Sequence, residues 1–220
     1  MKLTLDTHSL INYLSRQLEH FYPDDRVVRD CLIQIMPAVI GRMDYCFSHI
    51  HKKYYYHNGQ SIFNHLNSDH YAMFLYWVAN EAYQHQFLNV AEKAFLLNKA
   101  LHGIDAFYSI KLPDVFLFVH PIGTVLGNAM YSDFFVVYQN VTVGADVNGV
   151  YPGFGLSNVL YSKSSVIGSC MIADNVAISA NAFIRNMAVP SDSIVVGVYP
   201  EAKIKLNNKN NKNDFFSALK

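Results

Sequence analysis

Apolar positions along this chain follow two rhythms, and the change between them falls near residue 103. Before it, Leu10, Tyr13, Leu14 and Leu18 share one face of a helix that Pro23 ends. A second helical stretch covers about 25 to 50, with Pro37 as a kink or break. The run Tyr54-Tyr55-Tyr56 leads into a turn at Asn58-Gly59 and reads as packing or as a contact between copies. An aromatic helix follows from Asp69 to about Gln86, with Phe74, Leu75, Val78 and Ala82 as its apolar positions. The next helix opens on a capping-box-like pair, Asn89 and Glu92, and closes at Gly103, where a left-handed residue belongs.

Beyond Gly103 the apolar spacing becomes six. Ile104, Ile110, Phe116 and Ile122 hold it, then Val137 and Val143, then Leu160, Val166, Ile172, Ile178 and Ile184. A sustained period of six fits neither a helix nor a single strand. It fits a triangular coil with three short strands per turn, one inward aliphatic per strand and small residues such as Gly168, Ala173, Ser179 and Ala180 at the corners. The phase slips once at 130–135 and again at 149–155, where a Gly/Pro segment reads as a protruding loop. The expected fold is therefore α+β: an N-terminal α-helical domain over 1–102, a parallel β-helix of hexapeptide repeats over 103–205, and a flexible polar tail over 206–220.

Composition narrows the function classes. Apolar residues make up 51% of the 220, enough for a packed core, and Lys+Arg balance Asp+Glu at 17 each. No overall charge points to nucleic acid, and no stretch approaches the about 18–20 apolar residues of a membrane span. Cys31, Cys46 and Cys170 are odd in number and form no CxxC, which fits a reducing, cytoplasmic setting better than disulfides or structural zinc. The N-terminal half is rich in His, from His49 to His85, but at no recognised ligand spacing, so no metal is expected.

Several segments carry a family resemblance in order. His120-Pro121-Ile122-Gly123-Thr124-Val125-Leu126-Gly127 resembles the catalytic-His segment of the serine acetyltransferases and related hexapeptide-repeat acyltransferases. Val137-Tyr138-Gln139-Asn140-Val141-Thr142-Val143-Gly144 is similar to that family's QxVTLGG stretch, and Gly103-Ile104-Asp105 lies upstream of His120 at the family's spacing. Ile178-Ser179-Ala180-Asn181-Ala182 resembles its IGAG coil, and Gly197-Val198-Tyr199-Pro200 its GVPA exit. The resemblance implies a left-handed parallel β-helix, acetyl-CoA as acyl donor without a metal, and a homotrimer or dimer of trimers with sites between subunits.

It also implies roles. His120 would be the general base and Asp105 the carboxylate that orients it. An imidazole, which titrates near neutrality, suits the removal of a proton from an attacking hydroxyl. Gly144 and Ala145 would offer backbone N–H groups to the oxyanion. Coenzyme contacts carry over to Ala145, Ser162 and Ala180, with Lys203 and Lys205 as charges for its phosphates. On the acceptor side the family pattern breaks: Val119 stands where the family has Asp, and Val150 and Tyr151 where it has an Arg-His pair. Loss of those charges speaks against a small zwitterion. The aromatic residues Tyr151, Tyr138 and Tyr131 point instead to a saccharide hydroxyl, with Asp69 as a further acceptor contact. Asp69 fits more simply the start of its helix, where the dipole favours a carboxylate. The alternatives are serine O-acetyl transfer with a rearranged grip, a β-helix carbonic anhydrase (for which the repeats offer a single His) and a scaffold without chemistry.

Overall fold

The computed structural model describes residues 1–217; residues 218–220 of the expected tail lie outside them. Helix α1 (Thr7–Phe21) is opened by Asp6, whose carboxylate accepts from the Ser9 amide. Helix α2 (Arg29–His49) runs through Pro37 without ending. Burial of Leu32, Ile35, Met36, Val39 and Met43 along its length outweighs the hydrogen bond that Pro37 removes. Helix α3 (Ser68–Gln84) is capped by Asn67. Helix α4 (Leu88–His102) starts one residue before Asn89 and has no side-chain cap, so the expected capping box does not form. Its end is as expected, with Gly103 left-handed at φ 63°.

Helix α3 joins the helical half to the coil. The Tyr76 hydroxyl donates to the Ile110 carbonyl at 2.9 Å and accepts from the Leu112 amide at 2.8 Å. Asn80 Nδ2 donates to the Tyr108 carbonyl at 2.9 Å, and the Trp77 and Phe116 rings meet at 5.0 Å. These side chains satisfy buried backbone groups that no sheet ladder serves. They hold the second half of α3 against the first coil.

From Asp105 the chain winds through about five turns of a parallel β-helix. One sheet aligns Phe118, Val137, Leu160, Ile178 and Val195. A second aligns Ala106, Leu126, Val143, Val166 and Ile184, and a third Phe154, Ile172 and Val189. All of these side chains are buried. The six-residue rhythm is thus the spacing between neighbouring faces of the triangle.

Both phase slips have structural counterparts. Leu126 to Val137 takes eleven steps, where the regular Val166 to Ile178 takes twelve. Val143 to Leu160 takes seventeen steps, an excess of five. The excess emerges at 145–150, earlier than expected, and is tied by Asp146 Oδ1, which accepts from the Asn148 and Val150 amides at 2.9 and 3.1 Å. Gly153–Phe154, expected in the loop, is instead a buried strand of the third sheet.

The polar tail is docked where the structure describes it. Ahead of it, Lys203–Leu206, nearly all of it expected as the end of the parallel coil, instead pairs antiparallel with Ser193–Val196 and covers the open edge of the first sheet. Helix α5 (Asn211–Phe215) follows, and Asn211 bonds to Asn175 Oδ1 and the Ser157 carbonyl at 2.8 and 3.1 Å. Phe215 and Phe216 are buried, and the Ser217 amide donates to the His49 carbonyl at 2.7 Å. Two phenylalanines and an asparagine network outweigh the low-complexity composition that suggested a loose end. No helix among the described residues is long and apolar enough to cross a membrane.

Candidate active site

One corner of the coil departs from the others. Between the first and second sheets, four steps carry the chain from Tyr138 to Thr142, from Tyr161 to Ser165 and from Ser179 to Phe183. In the first coil the same corner takes six, from Val119 to Val125. Hydrogen bonds fix the alignment: Asn140 N to Ile122 O at 2.9 Å, Lys163 N to Gln139 O at 3.0 Å and Asn181 N to Ser162 O at 3.0 Å. The left-handed residues Gly123, Asn140, Lys163 and Asn181 stack above one another. Gly123 is required there, because a Cβ would lie 2.4 Å from Asn140 Oδ1. The two extra residues are His120 and Pro121. They push Ile122 out of the expected inward column, and it is 67% exposed.

His120 is therefore extruded. Its φ is 49°, a left-handed conformation that costs a non-glycine residue about 1 kcal/mol. The proline ring that follows keeps its own φ negative, and the Ile122 amide turns back to the His120 carbonyl at 2.8 Å. The His120 side chain is 76% exposed.

Facing it is Asp69, in the first turn of α3 and 9% exposed. Asp69 Oδ1 accepts from the His120 amide at 3.2 Å, and Oδ2 lies 3.7 Å from His120 Nδ1. The second distance is an ion-pair contact rather than a hydrogen bond. Burial pushes the Asp69 carboxyl above its ordinary range, opposed by the bond from the His120 amide and the His120 charge. Tyr54, Leu66, Asn67, Ser68, Asp69 and His120 line a cleft of about 360 Å³. Burial, with a smaller contribution from Asp69, raises the Tyr54 hydroxyl as well. Sequence reasoning passed over Asn67, Ser68 and Leu66 and read Tyr54 as packing or a contact between copies; Asn67-Ser68-Asp69 is a helix-start pattern that could have placed the cap beside the cleft.

Asp105, the expected partner of His120, is paired elsewhere. Lys99, from the last turn of α4, reaches its carboxylate at 2.6 Å. Asp105 sits on the second sheet beside that helix end, whereas the extruded corner turns His120 towards α3. Ser162 and Ala180 do lie on the corner line that runs up from His120. Gly144 and Ala145 lie at the next corner, between the second and third sheets, where the Gly168 amide donates to the Gly144 carbonyl at 2.9 Å. Lys203 and Lys205 are exposed on the antiparallel edge strand, Lys203 opposite Val196.

Of the expected tyrosines, Tyr138 is not among the residues that line the cleft, but it lies next to the His120 corner. It pairs with Val119 in the first sheet, and its ring lies 5.2 Å from Tyr161 and 6.4 Å from Phe215. Tyr131 does not reach the cleft: its ring stacks on Phe154 and its hydroxyl donates to the Gly127 carbonyl at 2.8 Å. Tyr151 packs over Gly127, where an added Cβ would lie 2.6 Å from its ring, so within one chain it stands at the corner with Gly144 and away from His120.

No protein-family model matches the chain. Among curated proteins it is similar to the serine acetyltransferase of Staphylococcus epidermidis, 26% identical over 132 residues. That match covers 58% of this chain and 62% of the relative, so less than two thirds of the relative's length is spanned. Among solved structures, a Neisseria gonorrhoeae serine acetyltransferase aligns with a TM-score of 0.70 at 18% identity, covering 96% of this chain and 83% of that one. A serine acetyltransferase in complex with CoA aligns at 0.65 and 15% identity, over 80% of this chain and 75% of that one. The helical half followed by a parallel coil is thus the fold of those enzymes.

Proposed function

We propose that this chain is an acetyl-CoA-dependent O-acetyltransferase in which His120 takes the proton from the acceptor hydroxyl. The observation that carries the reading is the extruded corner. It holds an imidazole out of a corner that is regular in the coils above, against an anchored carboxylate and beside an open cleft. With Nδ1 turned to Asp69, Nε2 is the atom left to accept a proton from a hydroxyl in the cleft. Acetyl-CoA would supply an activated thioester. The corner line above His120 fits its arm, since Ser162 and Ala180 are small and leave the backbone approachable. The backbone N–H groups at Gly144 and Ala145 stand at another corner, so they would serve a His120 across a boundary between copies, as in the homotrimer the family resemblance implies.

Serine is the first acceptor to test, because the similar proteins named are serine acetyltransferases. This reverses the order expected from the sequence, where a saccharide hydroxyl came first. One observation keeps the saccharide as the second reading: among the described residues the cleft lining holds the Asp69 carboxylate and no Lys or Arg to meet an acceptor's carboxylate. Coenzyme A release should be followed with acetyl-CoA and either serine or a panel of sugars. Turnover with serine at least about 100-fold above the sugars supports the first reading. Turnover with a sugar and none with serine replaces it by the second.

A further inference from the structure

We propose that Asp69, rather than Asp105, is the positioning residue for His120, holding its ring with Nδ1 protonated so that Nε2 is free. The inference rests on His120 being the base and deepens that reading.

Three observations converge on Asp69. Its carboxylate is not needed to start α3, since Asn67 already accepts from the Asp69 and His70 amides at 3.0 and 3.2 Å. It is nevertheless buried, which costs a carboxylate unless a partner compensates. Its two oxygens address two groups of one residue, the amide of His120 at 3.2 Å and the ring Nδ1 at 3.7 Å. A carboxylate gripped through the backbone amide cannot swing away, so its second oxygen stays directed at the ring. The ring contact is long for a hydrogen bond, and contacts of this kind close when substrate fills the site.

Asp105 lacks each of these features. Lys99 holds it in an ion pair at 2.6 Å, it is about one-third exposed, and its backbone belongs to the ladder of the second sheet. A carboxylate already neutralised by a lysine attracts an imidazolium weakly. The family spacing between Asp105 and His120 persists in the sequence, but the carboxylate that faces the imidazole comes from the helical half. The helical half is thereby part of the catalytic unit, because α3 is pinned to the coil by Tyr76 and Asn80 and delivers Asp69 to the corner.

The test reads the ring first and turnover second. In ¹⁵N spectra of the full chain, with His120 identified by its loss in His120→Gln, the wild-type ring should be mainly Nδ1–H at a pH where it is neutral. Asp69→Asn retains an acceptor for the His120 amide, so the corner keeps its shape while the carboxylate charge is gone. It should erase the tautomer preference and lower kcat about 100-fold, with the acceptor KM within about threefold of wild type. Asp105→Asn should leave the ring signals in place. The proposal is overturned if Asp69→Asn leaves the tautomer unchanged, if Asp105→Asn shifts it, or if Asp69→Asn raises KM with kcat intact, which would make Asp69 an acceptor contact. Wild-type protein without turnover on any acceptor would sink the acyltransferase reading, while the tautomer comparison would still decide between the two carboxylates.

Discussion

The corner at Ser179–Phe183 and the corner at Val119–Val125 occupy equivalent positions on the same β-helix, yet one is scaffold and the other carries the proposed chemistry. The upper corner spends four steps, turns at Asn181 and presents the small Ala180. The lower one spends six and extrudes a histidine in a left-handed conformation against a carboxylate from another part of the fold. Repetition supplies rigidity because every rung repeats its neighbours' bonds and packing. The proposed reactivity requires a side chain that leaves the repeat, and the extra residues provide one.

The largest expected effect comes from making the two corners alike. Deleting Pro121 and Ile122 keeps His120 but restores a four-step corner, with Gly123 in register with Asn140. The coil should fold, with a melting temperature within a few degrees of wild type, while turnover falls about 10³-fold. Retained turnover in that deletion would mean that extrusion is irrelevant. Next, Ile178→Ala attacks the regular part, leaving a cavity in a fully buried column; chemical denaturation should register a loss of about 2–5 kcal/mol, with kcat intact while the protein is folded.

The helical half brings a pH dependence on the acid side of neutrality through a buried histidine. His70, enclosed by Phe47, Tyr55 and Phe63, is pushed down to about 4 by burial. In the unfolded chain it titrates near about 6.5. Between those values the unfolded state binds the extra proton, so stability is full above the higher value and drains as pH falls towards the lower. Urea melts should show up to about 3 kcal/mol lost over that window from His70, and His70→Phe should reduce the slope but not abolish it, because burial also pushes His102 down to about 4. The smallest effect is at the corner itself: Asn181→Ala, at φ 60°, should cost about 1 kcal/mol by calorimetry, whereas Asn181→Gly should not.

Much of the coil was legible because one aliphatic per face is a rule that local sequence obeys. Leu160, Val166, Ile172, Ile178 and Ile184 all point inward as their spacing demands. Ile122 obeys the spacing and violates the geometry, since a two-residue insertion between Phe116 and Ile122 leaves the count of six intact by coincidence. The tail misled for the opposite reason: its Asn and Lys content hid Phe215 and Phe216, which dock across long sequence separations. The histidine was legible through its motif. Its carboxylate was not, because a contact between residues 51 apart is set by how α3 packs and leaves no local periodic trace.

The reaction proposed for this chain depends most on what the extruded imidazole does. Coenzyme A release from acetyl-CoA, measured with the productive acceptor for wild type and for His120→Gln of matched melting temperature, tests it directly. A fall in kcat of about 10²–10⁴-fold is the predicted result. Turnover by His120→Gln within about threefold of wild type would contradict it, and the corner would then be a structural irregularity without a part in the reaction.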